Sequence, residues 1–481
     1  MAAKHDDVSM IHGKMTGRYD TDKKRLNEGL HVGNSFDLIC REMDIGGKKS
    51  AFYFIDGMCK DEILQKLMQY FLDKKPEDLP SDSNELTKEL VPYGETSTET
   101  EYTKLARDIL AGVPVLLVDG FPVAFEIDFR TYPARSVEEP EKDKVMRGSR
   151  DGFVETLIFN TALIRRRIRN PQLAMEHFDV GRSSHTDIVL SYMEDRVDPA
   201  MLNKIRTQLD EIDIDALTMN QESLAECLHP THWLNPFPKF RFTERPDVAA
   251  ASLLEGNIVI LVDNSPSAMV IPTSVFDIIE DADDYYFPPV TGTYLRLSRV
   301  VINILAVVMT PLFVLLIQHP DWIPGSFSFI NITEPVNMPL WVQFLILEFA
   351  IDGLKLAALN TPNSLSTPLS VIAGIVLGDY TVSSGWFNEE VMLYMAFVAI
   401  ANYTQSSFEL GYALKFMRLI LLMLTAWFDV YGFVGGILFT VFVIARNKTI
   451  SGKCYIYPLI PFNLRQFARR FLRITLPRTE R

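Results

Sequence analysis

From Val300 to Ile317 the chain reads VVINILAVVMTPLFVLLI, eighteen residues without a charge. That is about the length needed to cross a hydrocarbon layer of roughly 30 Å. Further apolar runs follow at 340–359, 369–383, 391–408 and 417–445, and single soluble domains rarely stack five of them. The pattern predicts an all-α polytopic transmembrane domain over 291–446. Upstream the rhythm changes to short apolar stretches that end in turn residues. LAGVPVLLVDG at 110–120 and LEGNIVILVDN at 254–264 share the pattern Leu, x, Gly, apolar run, Asp, and both are followed by Pro and Ala at equal offsets (Pro122, Ala124; Pro266, Ala268). Asp-Gly and Asp-Asn after β-rich runs predict a strand, a tight turn and a returning strand in each copy. Helical patterns precede both copies, in TETEYTKLARDILAG and RPDVAAASLLEG, and AFYFIDG at 51–57 reads as another strand.

The expected fold is therefore an α/β cytoplasmic region of two similar lobes followed by the helical membrane domain. The boundaries are a flexible tail at 1–30, lobe 1 at 31–130, lobe 2 at 131–290, the membrane domain at 291–446 and a basic tail at 447–481. Between the copies, RGSRDGFVETLIFNTALIRRRIR at 147–169 predicts a long amphipathic helix with a basic end. A basic C-terminus complements the helix dipole and invites acidic partners. Arg147, Arg150, Arg165, Arg166 and Arg167 are accordingly assigned to an interlobe or oligomer contact.

Charge divides the chain in the same places. Residues 1–298 carry 34 Lys and Arg against 51 acids, residues 299–445 carry 4 against 9, and residues 446–481 carry 9 against 1. The overall charge of −14 describes none of these parts, and the strongly acidic N-terminal region excludes a basic nucleic-acid binder. Arg296 and Arg299 precede the first span, whereas the loop QHPDWIPGSFSFINITEPVNM holds no Lys or Arg, and Arg446, Lys448 and Lys453 follow the last run. Positive flanks face the cytoplasm, so both termini are expected there and the number of crossings should be even. Five runs are odd, and 417–445 offers the resolution: two short helices or a re-entrant hairpin, with Gly432, Gly435 and Gly436 permitting a bend or close helix contact. Four spans plus a hairpin and six spans both fit. The first thirty residues show no apolar leader, and four separated cysteines give neither a disulfide framework nor a zinc ribbon.

Enzymatic signatures are lacking: GxxxxGK[ST], GxGxxG and GxSxG do not occur. No enzyme activity and no cofactor are expected. Cys227, His229 and His232 lack a fourth ligand, and Pro230 breaks the helix that would align the histidines. The informative polar residues lie within an apolar run. In PLWVQFLILEFAIDGLKLAALN, Glu348, Asp352 and Lys355 fall within about 60° on a helical wheel. Ionisable groups on one stripe face a bundle interior, an interface or water, so these three are the candidate ion pathway. A structural Asp352–Lys355 pair, or a helix lying at the interface, accounts for them equally. Asp379, Glu409 and Asp429 add acidity near other helix ends, which favours cations. In the tail, PFNLRQFARRFLR sets Leu464, Phe467, Ala468 and Phe471 opposite Arg465, Arg469, Arg470 and Arg473. Those arginines are expected to meet anionic lipids at the membrane surface.

RTYPARSVEEPEKDKVMRGSRDGFVETLIFNTALIRRRIRNPQL at 130–173 resembles the most characteristic cytoplasmic stretch of the A subunits of GerA-type spore germinant receptors, and the resemblance covers roughly residues 31–470. IDGLKLAALNTPNSLSTPLSVIAGIVLGD (351–379), SSFELGYALKFMRL (406–419) and YIYPLIPFN (455–463) look most like the stage V sporulation protein AF branch of that family. The resemblance implies an integral protein of the inner spore membrane with both termini on the core side. It would be a subunit of a homo-oligomeric channel, expected to be a pentamer, working with other membrane proteins of the germination machinery. The branch implies amplification of monovalent cation release. The alternatives are a germinant receptor A subunit that senses nutrients with B and C partners, a non-conducting assembly scaffold, and a secondary transporter.

Overall fold

The computed structural model describes residues 11–80, 95–132, 146–229, 235–333, 336–361, 371, 374 and 381–473. It divides into two compact units, Met1–Thr231 with Phe240–Pro272, and His232–Lys239 with Thr273–Arg481.

The first unit is an α/β region built on two five-stranded sheets. One contains β1 (Leu38–Ile45), β2 (Lys48–Ile55), β3 (Thr96–Glu99), β4 (Val115–Val118) and β5 (Ala124–Ile127) in the order β1-β2-β4-β5-β3. The other contains β6 (Leu173–Val180), β7 (Thr186–Met193), β8 (Arg241–Thr243), β9 (Ile258–Val262) and β10 (Ala268–Ile271) in the order β6-β7-β9-β10-β8. Strands β4 and β9, from the two sequence copies, are both central and wholly buried, which explains their unbroken apolar runs VLLV and IVILV.

The turns that follow do the same work in each sheet. Gly120 (φ 86°) and Asn264 (φ 59°) take the left-handed conformation that the reversal requires. Asp119 Oδ1 accepts the N–H of Tyr19 at 3.1 Å, and Asp263 Oδ1 accepts that of Leu157 at 3.2 Å. Tyr19 and Leu157 open helices α1 (Tyr19–Leu30) and α4 (Leu157–Arg167). Each turn aspartate thus satisfies an orphan donor at a helix start. Helix α2 (Asp61–Leu72) packs on the first sheet through Leu64, Leu67 and Phe71. Helix α3 (Tyr102–Leu110) is the first of the two helices expected before the copies. Helices α5 (Pro199–Asp210) and α6 (Gln221–Leu228) accompany the second sheet, and α7 (Pro246–Leu254) is the second expected helix.

The helix predicted over 147–169 is shorter than its periodicity implied. Only Leu157–Arg167 is helical. Asn160 explains the late start: its side chain accepts from Val154 N at 2.8 Å and donates back to Val154 O at 2.5 Å, holding the preceding segment out of the helix. Helix α4 is shared between the two cores. Ala162 packs with the first sheet's cluster, whereas Leu163 and Ile164 pack with the second's.

The second unit is helical: α8 (Val275–Ile279), α9 (Asp283–Tyr286), α10 (Pro289–Gln318), α11 (Leu340–Asn360), α12 (Glu389–Tyr403), α13 (Phe408–Arg446) and α14 (Leu464–Phe471). Helix α10 is long and apolar enough to cross a membrane, and α13 reaches its full apolar length only across a break at Asp429. The run at 369–383 lies almost wholly outside the described residues. Helix α13 spans 39 residues but breaks at Asp429 (φ 55°, ψ −134°). On a straight helix residues 421 and 436 would stand about 22 Å apart. Here a Cβ added to Gly436 would lie 3.4 Å from Leu421 Cα, and one added to Gly432 would lie 1.9 Å from Leu424 O. The chain therefore reverses at Asp429 into a helical hairpin whose arms pack through Gly432 and Gly436. Gly435 has nothing within 4 Å of such a Cβ, so two of the three glycines make the close contact.

Candidate functional site

Helix α11 starts where Gln343, fully buried, donates to Asn388 Oδ1 at 2.8 Å and accepts from Asn388 N at 2.9 Å, tying its first turns to the start of α12. From there the stripe Glu348, Asp352, Lys355 runs toward the C-terminal end of α11. The first hairpin arm presents Lys415 and Arg418 to it. Arg418 holds Glu348 Oε1 through Nη2 at 2.6 Å and Nε at 2.7 Å, and donates Nη1 to Ala306 O of α10 at 2.9 Å. Lys415 reaches Glu348 Oε2 at 3.2 Å and pairs with Asp352. Glu348, Lys415 and Arg418 are 4, 6 and 1% exposed, so this lattice joins three helices away from bulk solvent.

The i, i+3 pair expected between Asp352 and Lys355 is not formed, because Asp352 turns to Lys415 instead. Lys355 lies over the rings of Tyr403 and Tyr412, with Nζ 5.5 and 5.8 Å from their centroids. No carboxylate among the described residues lies within ion-pair distance of it. Lys415 and Arg418 were missed by sequence reasoning, although residues 299–445 hold only four basic residues and the ladder takes three of them. Two cations at i, i+3 in an otherwise apolar helix were the available signal.

Beyond the last turn of α10, His319 Nε2 meets both carboxylate oxygens of Asp429 at 2.7 and 2.8 Å, and its ring stacks on Trp322 at 4.5 Å. The hairpin tip is thereby tied to the end of α10. Glu409 sits in the first turn of α13, and Asp379 lies outside the described residues.

The tail arginines separate into two groups. Arg465 is exposed. Arg470 pairs with Asp277 and with Glu280 (3.2 Å), and the guanidinium of Arg473 donates to Tyr285 O. Both are engaged by the protein's own surface, where α14 docks on α8 with the Phe471 ring 5.3 Å from that of Phe276. The side chain of Arg469 is outside the description. Burial pushes the neighbouring Asp284 carboxyl up, although Arg299 and Arg296 oppose that shift.

The α4 arginines also separate. Arg165 is 1% exposed and grips Asp37 with Nε at 2.8 Å and Nη2 at 2.9 Å, adding Ser35 Oγ at 2.9 Å and Leu173 O at 3.0 Å. Asp37 immediately precedes β1, so this bond links the surroundings of both sheets. Arg166 covers the Tyr132 ring at 4.5 Å and Arg167 pairs with Asp151 at 2.5 Å. Arg147 and Arg150 are exposed. His232 lies outside the described residues, which contain no cluster of three His, Cys, Asp or Glu able to hold a metal.

A helical unit with buried charge pairs and apolar helices long enough to cross a membrane, preceded by an α/β region of two sheets, defines the class as a membrane protein. The chain belongs to the family described as Bacillus/Clostridium GerA spore germination protein, which it matches over residues 24–481. It is 36% identical to stage V sporulation protein AF of Bacillus subtilis (strain 168) over 435 residues, covering 90% of this chain and 87% of that one. It is 27% identical to spore germination protein GerLA of Bacillus cereus over 449 residues, covering 92 and 91%. The solved N-terminal domain of the A subunit of the Bacillus megaterium spore germinant receptor GerK3 is 27% identical, with a TM-score of 0.41, and the match covers 55% of this chain and 97% of that one.

Proposed function

We propose that this protein is the membrane subunit of an oligomeric ion channel of the inner spore membrane, acting in germination by amplifying monovalent cation release rather than by sensing nutrients. The observation that carries the reading is the charge ladder Lys355, Asp352–Lys415, Glu348–Arg418 within an otherwise apolar helical unit. Charges at such depth are costly and are retained where ions or water pass, or where they pair. Both acids are engaged by cations of the hairpin arm, which is the arrangement expected of a closed state. Opening requires α11 to part from the hairpin arm, which exposes Glu348 and Asp352 in every copy of a ring, five in the expected pentamer, and creates a negative collar for cations. Large apolar side chains left bare on the helices, such as Phe349 (79% exposed) and Tyr431 (89%), are available to lipid, further copies and partner proteins of the germination machinery.

The same pairing supports a second reading, a non-conducting scaffold in which the ladder only rivets three helices. Reconstituted vesicles separate them. The wild-type chain should pass potassium or sodium, and the charge-balanced double variant Asp352→Asn/Lys415→Gln should alter that flux without loss of assembly. An assembled wild type that carries no flux leaves the scaffold, whereas saturable exchange identifies a transporter.

A further inference from the structure

Residues 459–464, LIPFNL, expose four large apolar side chains in six positions: Leu459 (40%), Ile460 (51%), Phe462 (65%) and Leu464 (68%), with the exposed Arg465 following. Scattered exposed apolar residues are ordinary, whereas a contiguous group marks a contact surface. This group is framed at both ends. Tyr455 is fully buried, and its hydroxyl donates to Pro238 O at 2.6 Å. On the other side, Asn463 caps α14 by accepting from Gln466 N at 3.1 Å.

Helix α14 is in turn fixed to the first turns of α10. Arg296 Nη1 donates to Arg470 O at 3.1 Å, and Arg473 N donates to Thr293 Oγ1 at 3.1 Å. Thr293 and Arg296 lie only about 6–10 Å along the helix before Val300, where the uncharged span begins. That interval is comparable to the polar boundary layer of about 5–8 Å on each side of a bilayer.

We infer that 459–464 is a lipid-facing wedge seated at the headgroup–acyl boundary of the membrane that α10 crosses. Two observations select the bilayer over a protein partner. The wedge is continuous with the α10 span through α14, and it belongs to a segment, 446–481, that holds nine basic residues and one acid, the charge complement of an anionic leaflet. The wedge takes over the role that sequence reasoning gave to four tail arginines. Arg470 and Arg473 hold the wedge in place from the protein side, and Arg465 is left for lipid phosphate.

The inference rests on α10 being a membrane span, and the test keeps the two apart. In the full chain with its four native cysteines replaced by serine, a single cysteine at Phe462→Cys or, as reference, at Leu312→Cys within the span is labelled with an environment-sensitive fluorophore. Nanodiscs of phosphatidylcholine and phosphatidylglycerol carry lipid with a nitroxide near the headgroup for the Phe462 probe, and near the end of the acyl chain for the Leu312 probe, which lies about 18 Å along the helix from Val300. Both probes should lose at least about half their emission to the nitroxide lipid and be shielded from aqueous iodide. If the Leu312 probe meets lipid while the Phe462 probe is open to iodide, the wedge is refuted. Shielding of the Phe462 probe from both quenchers puts a second copy or a protein partner on the surface and refutes it equally. If the Leu312 probe itself is open to iodide, the reading of α10 as a span has failed and the wedge falls with it.

Discussion

Replacing Arg165 by methionine keeps most of the side-chain volume and removes one charge that is 1% exposed. Its partner Asp37, also 1% exposed, then keeps only the Ser35 hydroxyl, at 2.5 Å, as the side-chain donor to its carboxylate. Breaking a buried pair from one side costs about 3–5 kcal/mol because the remaining ion is uncompensated. Three further hydrogen bonds, to Ser35 Oγ, Leu173 O and Asn170 O, are lost at the same time. Hydrogen exchange of the full chain in detergent reads the effect where it should fall, at the Phe36 amide that donates to Met175 O at 3.1 Å and along β1 and β6. A loss of 3–5 kcal/mol raises the opening constant there roughly a hundred- to a few-thousand-fold. The double variant Arg165→Met/Asp37→Leu removes both charges and should recover most of the protection, since an apolar pair of similar volume replaces a buried ion pair at little cost. An R165M effect under about 1 kcal/mol, or an R165M/D37L variant no better than R165M, would refute the reasoning.

The hairpin makes a graded prediction: Gly436→Leu and Gly432→Val should prevent a monodisperse detergent-solubilised protein, because their Cβ atoms would collide with Leu421 and Leu424, while Gly435→Ala should be silent by size-exclusion profile. Lys415→Met leaves Glu348 and Asp352 without their shared cation and should lower the melting temperature of the purified protein more than Lys355→Met, whose ammonium lies over two aromatic rings and pairs with no carboxylate among the described residues. Lys239 is 5% exposed, donates to Asn447 Oδ1 and Lys448 O, and is pushed by burial down to about 8. The unfolded chain therefore binds more protons between that value and an unfolded pKa of about 10.4, so stability should rise with pH across this window, and Lys239→Met should abolish the rise in pH-dependent thermal unfolding. Cysteines placed at 322–333 should react with an impermeant thiol reagent from outside and one at 453 should not. Reaction of both from the same face would defeat an even number of crossings.

Burial was legible in the chain because it leaves a period. The uncharged run from Val300, the strands at VLLV and IVILV, and the repeated Leu-x-Gly pattern all lie where apolar positions put them, since removing apolar area from water constrains each residue separately. Pairing was not legible, because a charge in the sequence does not name its partner. Glu348, Asp352 and Lys355 share a helical stripe, yet the bonds run from the acids to Lys415 and Arg418, more than sixty residues away. Likewise five arginines around α4 read alike, and only the packing of α4 between two sheets selects Arg165 for burial. The reversal at Asp429 shows the same limit: local composition permits either a long helix or a hairpin, and the choice falls to the close approach of Gly432 and Gly436 to the first arm. A backbone break is worth making only when the contacts it creates exceed its strain, and those contacts exist only once the chain has folded.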